Sequence, residues 1–188
     1  MGNPEAKQNP PATYADIEAL AENLVGEILN GELVVSPRPA PRHANSSSGL
    51  GALLGVPFGF GRGGPGGWRI LDEPELHLGP DVVVPDLGGW RRERMPSLPE
   101  TAFFPLAPDW VCEVLSESTR RRDRVRKLPI YAREGVGHVW LIDPEPRTLE
   151  VYRREGDGWR LVGTWADTDK VRAEPFDAIE LELALLWA

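Results

Sequence analysis

VVVPD (82–86) and WVCEVL (110–115) are apolar runs that each carry one carboxylate, and TRRRDRVRKLPIY (119–131) follows them as a strongly basic segment. A short continuous apolar run reads as a strand buried on both faces. A charge inside such a strand is costly unless it is paired or bound to a metal. Alternation in WVCEVL puts Val111, Glu113 and Leu115 on one face and Cys112 and Val114 on the other. Two readings of Glu113 stay open: a sheet-margin acid paired with a nearby arginine, or a cation ligand. Asp86 is likewise either a ligand or an acid closing a strand before a Gly-Gly turn. Two carboxylates and a lysine are the parts of a one-metal phosphodiesterase. The acids suit a hard cation such as Mg2+, and the lysine activates water and neutralises charge on phosphate.

Outward from these runs, the chain alternates strand and helix signals. Thr13 can cap a helix with Asp16 in its first turn, followed by Tyr14, Ile17, Leu20, Ala21 and Leu24 at helical spacing. GEIL and ELVV flank Asn30-Gly31, a type I′ hairpin signal. SPRPAPRH (36–43) reads as an extended loop. Ser48–Leu54 reads as a short helix weakened by Gly49 and Gly51. GFGRGGPGGW (59–68) lacks the strand-then-helix context of a phosphate-binding loop. Residues 68–71, 74–78 and 81–86 read as short strands, and GGWRRERMPSLPETAFFPLAP (88–108) as irregular. A helix started by Ser118 or Thr119 runs to about Glu134, kinked or split by Pro129. VWLID is a buried strand, LEVYRR and WRLVGTW form a second hairpin, and IELELALL ends as strand or short helix.

The 188 residues suffice for one domain with a sizeable core. Residues 1–12 read as a disordered tail and 13–188 as the domain. Cys112 is the one cysteine, which excludes a disulfide framework and a cysteine-rich zinc site. A thiol in an apolar strand is a poor nucleophile. The N-terminus has no apolar stretch of signal-peptide type, and no apolar run approaches spanning length. No membrane association and a cytoplasmic location are the default expectations. A net charge of −8 argues against a general nucleic-acid coat but leaves room for a nuclease with a local positive patch.

Lys127 sits among Arg120, Arg121, Arg122, Arg124 and Arg126 with Asp123 as the single acid. That is either a solvated helix face with an Asp123–Lys127 pair, or a helix start turned to phosphate. Asp123, Lys127 and Tyr131 form one stripe. His43, His77 and His138 lack zinc-site spacing. Glu27 and Glu32 in isolation read as exposed hairpin charges.

GEILNGELVVSPRPAPRH, VVVPDL, APDWVCEVLSEST, RRDRVRKLPIYAREGVGHVWLIDP and the closing WRLVGTW…IELEL together resemble the Uma2 family, formerly domain of unknown function 820, of the PD-(D/E)XK nuclease superfamily. The resemblance covers residues 14–188. It implies an α/β (α+β), restriction-endonuclease-like fold: a mixed sheet core flanked by helices, with added β-hairpins. It carries Asp86 over as the motif aspartate and Glu113 as the second acid. The position two residues after that acid is Leu115, and the resemblance implies that the lysine comes from the following helix, as Lys127. Glu27 and His43 fall at supporting positions. The chain departs from relatives in its glycine-rich 44–67 region and in Ser116-Glu117-Ser118 where Ser-Pro-Ser is usual.

The leading expectation is therefore a Mg2+-dependent DNA endonuclease hydrolysing phosphodiester bonds, with Mn2+ able to substitute. Asp86, Glu113 and the Val114 carbonyl bind the metal, and Lys127 orients or deprotonates water. Tyr131 with Arg122 or Arg124 positions phosphate. The alternative is a non-catalytic nucleic-acid-binding or dimerisation module on the same fold. A homodimer fits the exposed hairpins and the two sites that double-strand cleavage needs.

Overall fold

The computed structural model describes residues 10–187, so most of the N-terminal segment expected as a disordered tail lies outside the described residues. Helix α1 (Tyr14–Glu18) is capped by a box between Thr13 and Asp16. It stops earlier than its apolar spacing predicts, because Ile17 and Leu20 lie against Gly26 and Leu24 opens a strand. β1 (Leu24–Leu29) and β2 (Glu32–Pro37) pair antiparallel around Asn30 and Gly31. Those two residues have φ of 55° and 79°, as a type I′ turn requires.

The segment read as loop and weak short helix is one helix, α2 (Pro41–Leu54), that runs into a π turn at Gly55–Gly59. Proline at its first position is pre-organised for helix. Its glycines mark close packing, since a Cβ on Gly51 would stand 3.1 Å from Asp72 Oδ1 and 3.4 Å from Leu87.

β3 (Trp68–Asp72), β4 (Leu76–Leu78) and β5 (Asp81–Val83) are strands, the last shorter than expected. The supposed Gly-Gly turn after Asp86 is instead strand β6 (Leu87–Arg91). Gly88 and Gly89 are there because indole rings lie on the backbone: a Cβ on Gly89 would meet Trp110 at 2.9 Å. β7 (Trp110–Val114) follows. A helical stretch comes next as α3 (Arg120–Arg122), a π segment (Asp123–Lys127) and α4 (Leu128–Arg133). It starts from a reciprocal pair, Ser116 N to Thr119 Oγ1 at 3.1 Å and Thr119 N to Ser116 Oγ at 3.3 Å. Pro129 does not break the stretch. The widened π turn just before it accommodates the missing N–H.

β8 (His138–Asp143), β9 (Thr148–Glu155) and β10 (Gly158–Ala166) complete a six-stranded mixed sheet of order β10-β9-β8-β7-β6-β3. β7 and β8 are parallel, and the other pairs antiparallel. A smaller sheet has order β2-β1-β5-β4. β11 (Lys170–Val171) and β12 (Leu181–Glu182) pair near the end, and a 3-10 turn covers Leu183–Leu186. The closing apolar segment is thus strand and then helix.

The large sheet is buried on both faces. Trp110, Cys112, Val114, Trp140 and Ile142 pack with α2 and the C-terminal segment around Phe176. Val111, Leu115, Val139 and Leu141 pack with α4 and the small sheet. This is the alternation read from WVCEVL, and it places Glu113 on the α4 face.

Candidate active site

Asp86 is the last residue before β6. The β6–β7 register pairs Leu87 with Cys112, so Asp86 falls opposite Glu113. The Asp86 carboxylate is held at both oxygens. Val114 N donates to Oδ2 at 2.7 Å, and His43 Nε2 lies 3.2 Å from Oδ1. His43 is no loop-end surface residue: it stands in the first turn of α2 with its side chain 14% exposed. Its other ring nitrogen, Nδ1, is buried without a hydrogen-bond partner.

Glu113 is buried, and so is Lys127, which a surface-helix reading would have placed in solvent. Lys127 Nζ lies 2.8 Å from Glu113 Oε1 and 3.0 Å from Glu27 Oε1. It also donates to the Val84 carbonyl at 3.0 Å. Glu27 is buried in β1 rather than exposed on the hairpin, and its Oε1 accepts from Val84 N at 2.9 Å. The four groups form a compact knot between the two sheets.

Tyr131 is fully buried and its hydroxyl donates to Glu113 Oε1. It therefore holds the acid in place and does not reach phosphate. Arg124 is also elsewhere: its guanidinium forks onto Glu150 at 2.8 and 2.9 Å, away from the cavity. Arg122 does line the cavity, bonded to Ser36 Oγ at 2.7 Å and 3.8 Å from Glu27. Asp123 joins it there as a buried acid, not as the solvated partner of Lys127 that one reading of the basic run offers.

Burial pushes the Glu113 carboxyl well above the ordinary carboxylate range. Lys127 opposes that rise, while Asp123, Asp86 and Glu27 add to it. Burial likewise raises Asp123, against Lys127 and the Thr119 hydrogen bond. For Lys127, burial favours the neutral amine, but Glu113, Glu27 and Asp123 outweigh it and hold the ammonium above its usual value. Burial opposes charging of His43, and its bond to Asp86 wins, so the imidazole is raised. Burial also keeps Cys112 protonated, as expected of a core thiol.

The cavity over these groups has a volume of about 370 Å³. Its lining carries the carboxyl groups of Glu27, Glu73, Asp86, Glu113 and Asp123 beside Arg38, Arg122 and Lys127. Among the described residues no three His, Cys, Asp or Glu side chains converge as a ready metal shell. A divalent cation held here would have to draw most of its coordination from water, substrate oxygen and a backbone carbonyl. That fits Mg2+, which keeps several waters and takes one or two carboxylates.

Residues 12–185 match the family model Uma2, described as "Putative restriction endonuclease". Among solved structures, the chain is similar to a "putative nuclease belonging to DUF820" from Anabaena variabilis. That likeness has a TM-score of 0.76 at 23% identity and covers 94% of this chain and 98% of that one. It establishes the shared fold. Among curated proteins, none matches. No helix among the described residues is long and apolar enough to cross a membrane.

Proposed function

Since the chain belongs to the Uma2 family, we propose that it is a Mg2+-dependent DNA endonuclease hydrolysing phosphodiester bonds at the Asp86–Glu113–Lys127 cavity. The observation that carries this reading is the buried knot itself. Lys127 pairs there with Glu113 and Glu27, and Asp86, from a separate element, lines the same open cavity.

Asp86, Glu113 and the Val114 carbonyl are the residues that would hold Mg2+, or Mn2+ in its place. When bound, such an ion polarises the scissile phosphate and acidifies water. Val114 N and His43 orient Asp86 from either side. Tyr131 orients Glu113. Lys127 is held as an ammonium by its acidic neighbours. With its three N–H groups on Glu113, Glu27 and the Val84 carbonyl, it serves as a fixed positive charge that offsets charge developing on phosphate, rather than as the base. Arg122, with Arg38 on the cavity wall, is a cation suited to a non-bridging phosphate oxygen.

One observation favours the second reading, a non-catalytic nucleic-acid-binding module. Both Glu113 oxygens are already engaged by Lys127 and Tyr131. The discriminating variant is Asp86→Asn, whose side chain keeps its shape. Mg2+ binding by calorimetry and nicking of supercoiled DNA should each fall by about a hundredfold or more, with the far-UV spectrum unchanged. Wild-type protein that neither binds Mg2+ or Mn2+ nor nicks supercoiled, linear or single-stranded DNA would leave the binding module as the answer.

A further inference from the structure

We infer, on the nuclease reading above, that the cavity takes a single strand of DNA and not an intact duplex. The reacting groups are sunk beneath the surface. Glu27, Asp123, Glu113 and Lys127 are each at most 3% exposed, and the Asp86 side chain is 14% exposed. The cavity leading to them, about 370 Å³, lies near the bottom of the range for small-molecule pockets, roughly 300–1,000 Å³. That space admits about one nucleotide. A duplex phosphate is fixed on a stiff cylinder, and it cannot descend to the floor while its strand stays paired. A single strand turns at its own torsions and offers one phosphate at a time.

The rim agrees with the floor. Residues 35–40, VSPRPA, form one wall. There Val35, Pro37, Pro39 and Ala40 are exposed, and Arg38 is the one cation. A duplex hides its base faces and is gripped through several phosphates by lysine and arginine. This rim supplies little of that grip and much apolar surface, and the whole chain carries a net charge of −8. An unpaired strand exposes apolar base faces that pack on such a wall, with Arg38 and Arg122 left for flanking phosphates.

The test uses the full chain and one fluorescein-labelled oligonucleotide, presented alone, as a blunt duplex, and as a duplex with an unpaired gap. Binding is read by anisotropy with Ca2+, and cleavage separately with Mg2+ or Mn2+. The single strand should be bound and cut about tenfold or more better than the duplex, and gapped DNA should be cut in its unpaired part. Val35→Glu and Arg38→Ala should each weaken single-strand binding several-fold with the melting temperature unchanged. Duplex bound and cut as well as the single strand overturns the inference and leaves the nuclease reading in place. A single strand bound but never cut overturns the nuclease reading and keeps the strand-binding cavity. Failure to bind either form removes both.

Discussion

Glu113 is the residue on which site and stability meet. Its carboxyl is raised by burial, so the folded protein binds that proton more tightly than the unfolded chain does. Such a group favours folding below the ordinary glutamate value, and the contribution is lost as pH rises through the folded-state value. In EDTA, the melting temperature of Glu113→Gln relative to wild type should therefore climb as pH is taken from about 5 to about 8. A gap that does not move with pH would mean that Glu113 is ionised throughout. At this scale the sequence was legible where a charge interrupts an apolar run, as at Glu113. It was not legible at Glu27 and Tyr131. An acid beside an Asn-Gly turn and a tyrosine on a helical stripe look the same whether buried or exposed. Only the packing of β1 and α4 around Lys127 decides between them. Arg124 misled for the matching reason: guanidinium groups in a basic run are alike until Glu150, remote in sequence, claims one of them.

The helical stretch after β7 delivers Arg122, Asp123 and Lys127 to the cavity, and its start is fixed by the Ser116–Thr119 pair. Ser116→Ala removes one half of that reciprocal cap and should cost about 1 kcal/mol of stability, read by chemical denaturation. Substrate cleavage should fall with it, because the start of the stretch is what aims Arg122. Stability equal to wild type would show that the backbone bonds of the turn suffice by themselves. Glycine was the main source of misreading among the elements. In α2 and β6 it reads as weakness or a turn, whereas Gly51 and Gly89 occur where Leu87 and Trp110 press against the backbone. Apolar runs identified the strands that are buried on both faces. They could not register an element whose missing side chains are replaced by a neighbour's ring.

Over the whole molecule, a chain of net charge −8 with two arginines lining its cavity should bind single-stranded DNA with a shallow salt dependence. The slope of log K against log salt should be about −1 to −2, since each neutralised phosphate of a single strand contributes roughly −0.7. A slope several times steeper would require a phosphate track elsewhere on the surface. The site itself straddles the seam between the four-stranded and six-stranded sheets, with Glu27 from one, Glu113 from the other and Lys127 between them. Removing the lysine strands two buried acids, a change on the order of 3–5 kcal/mol for a buried pair. The knot is thus a rivet, whatever part it plays in the proposed reaction. Substitutions at Lys127 should behave as protein nulls, cleared by proteolysis, whereas Asp86→Asn, outside the knot, should leave a folded copy in place.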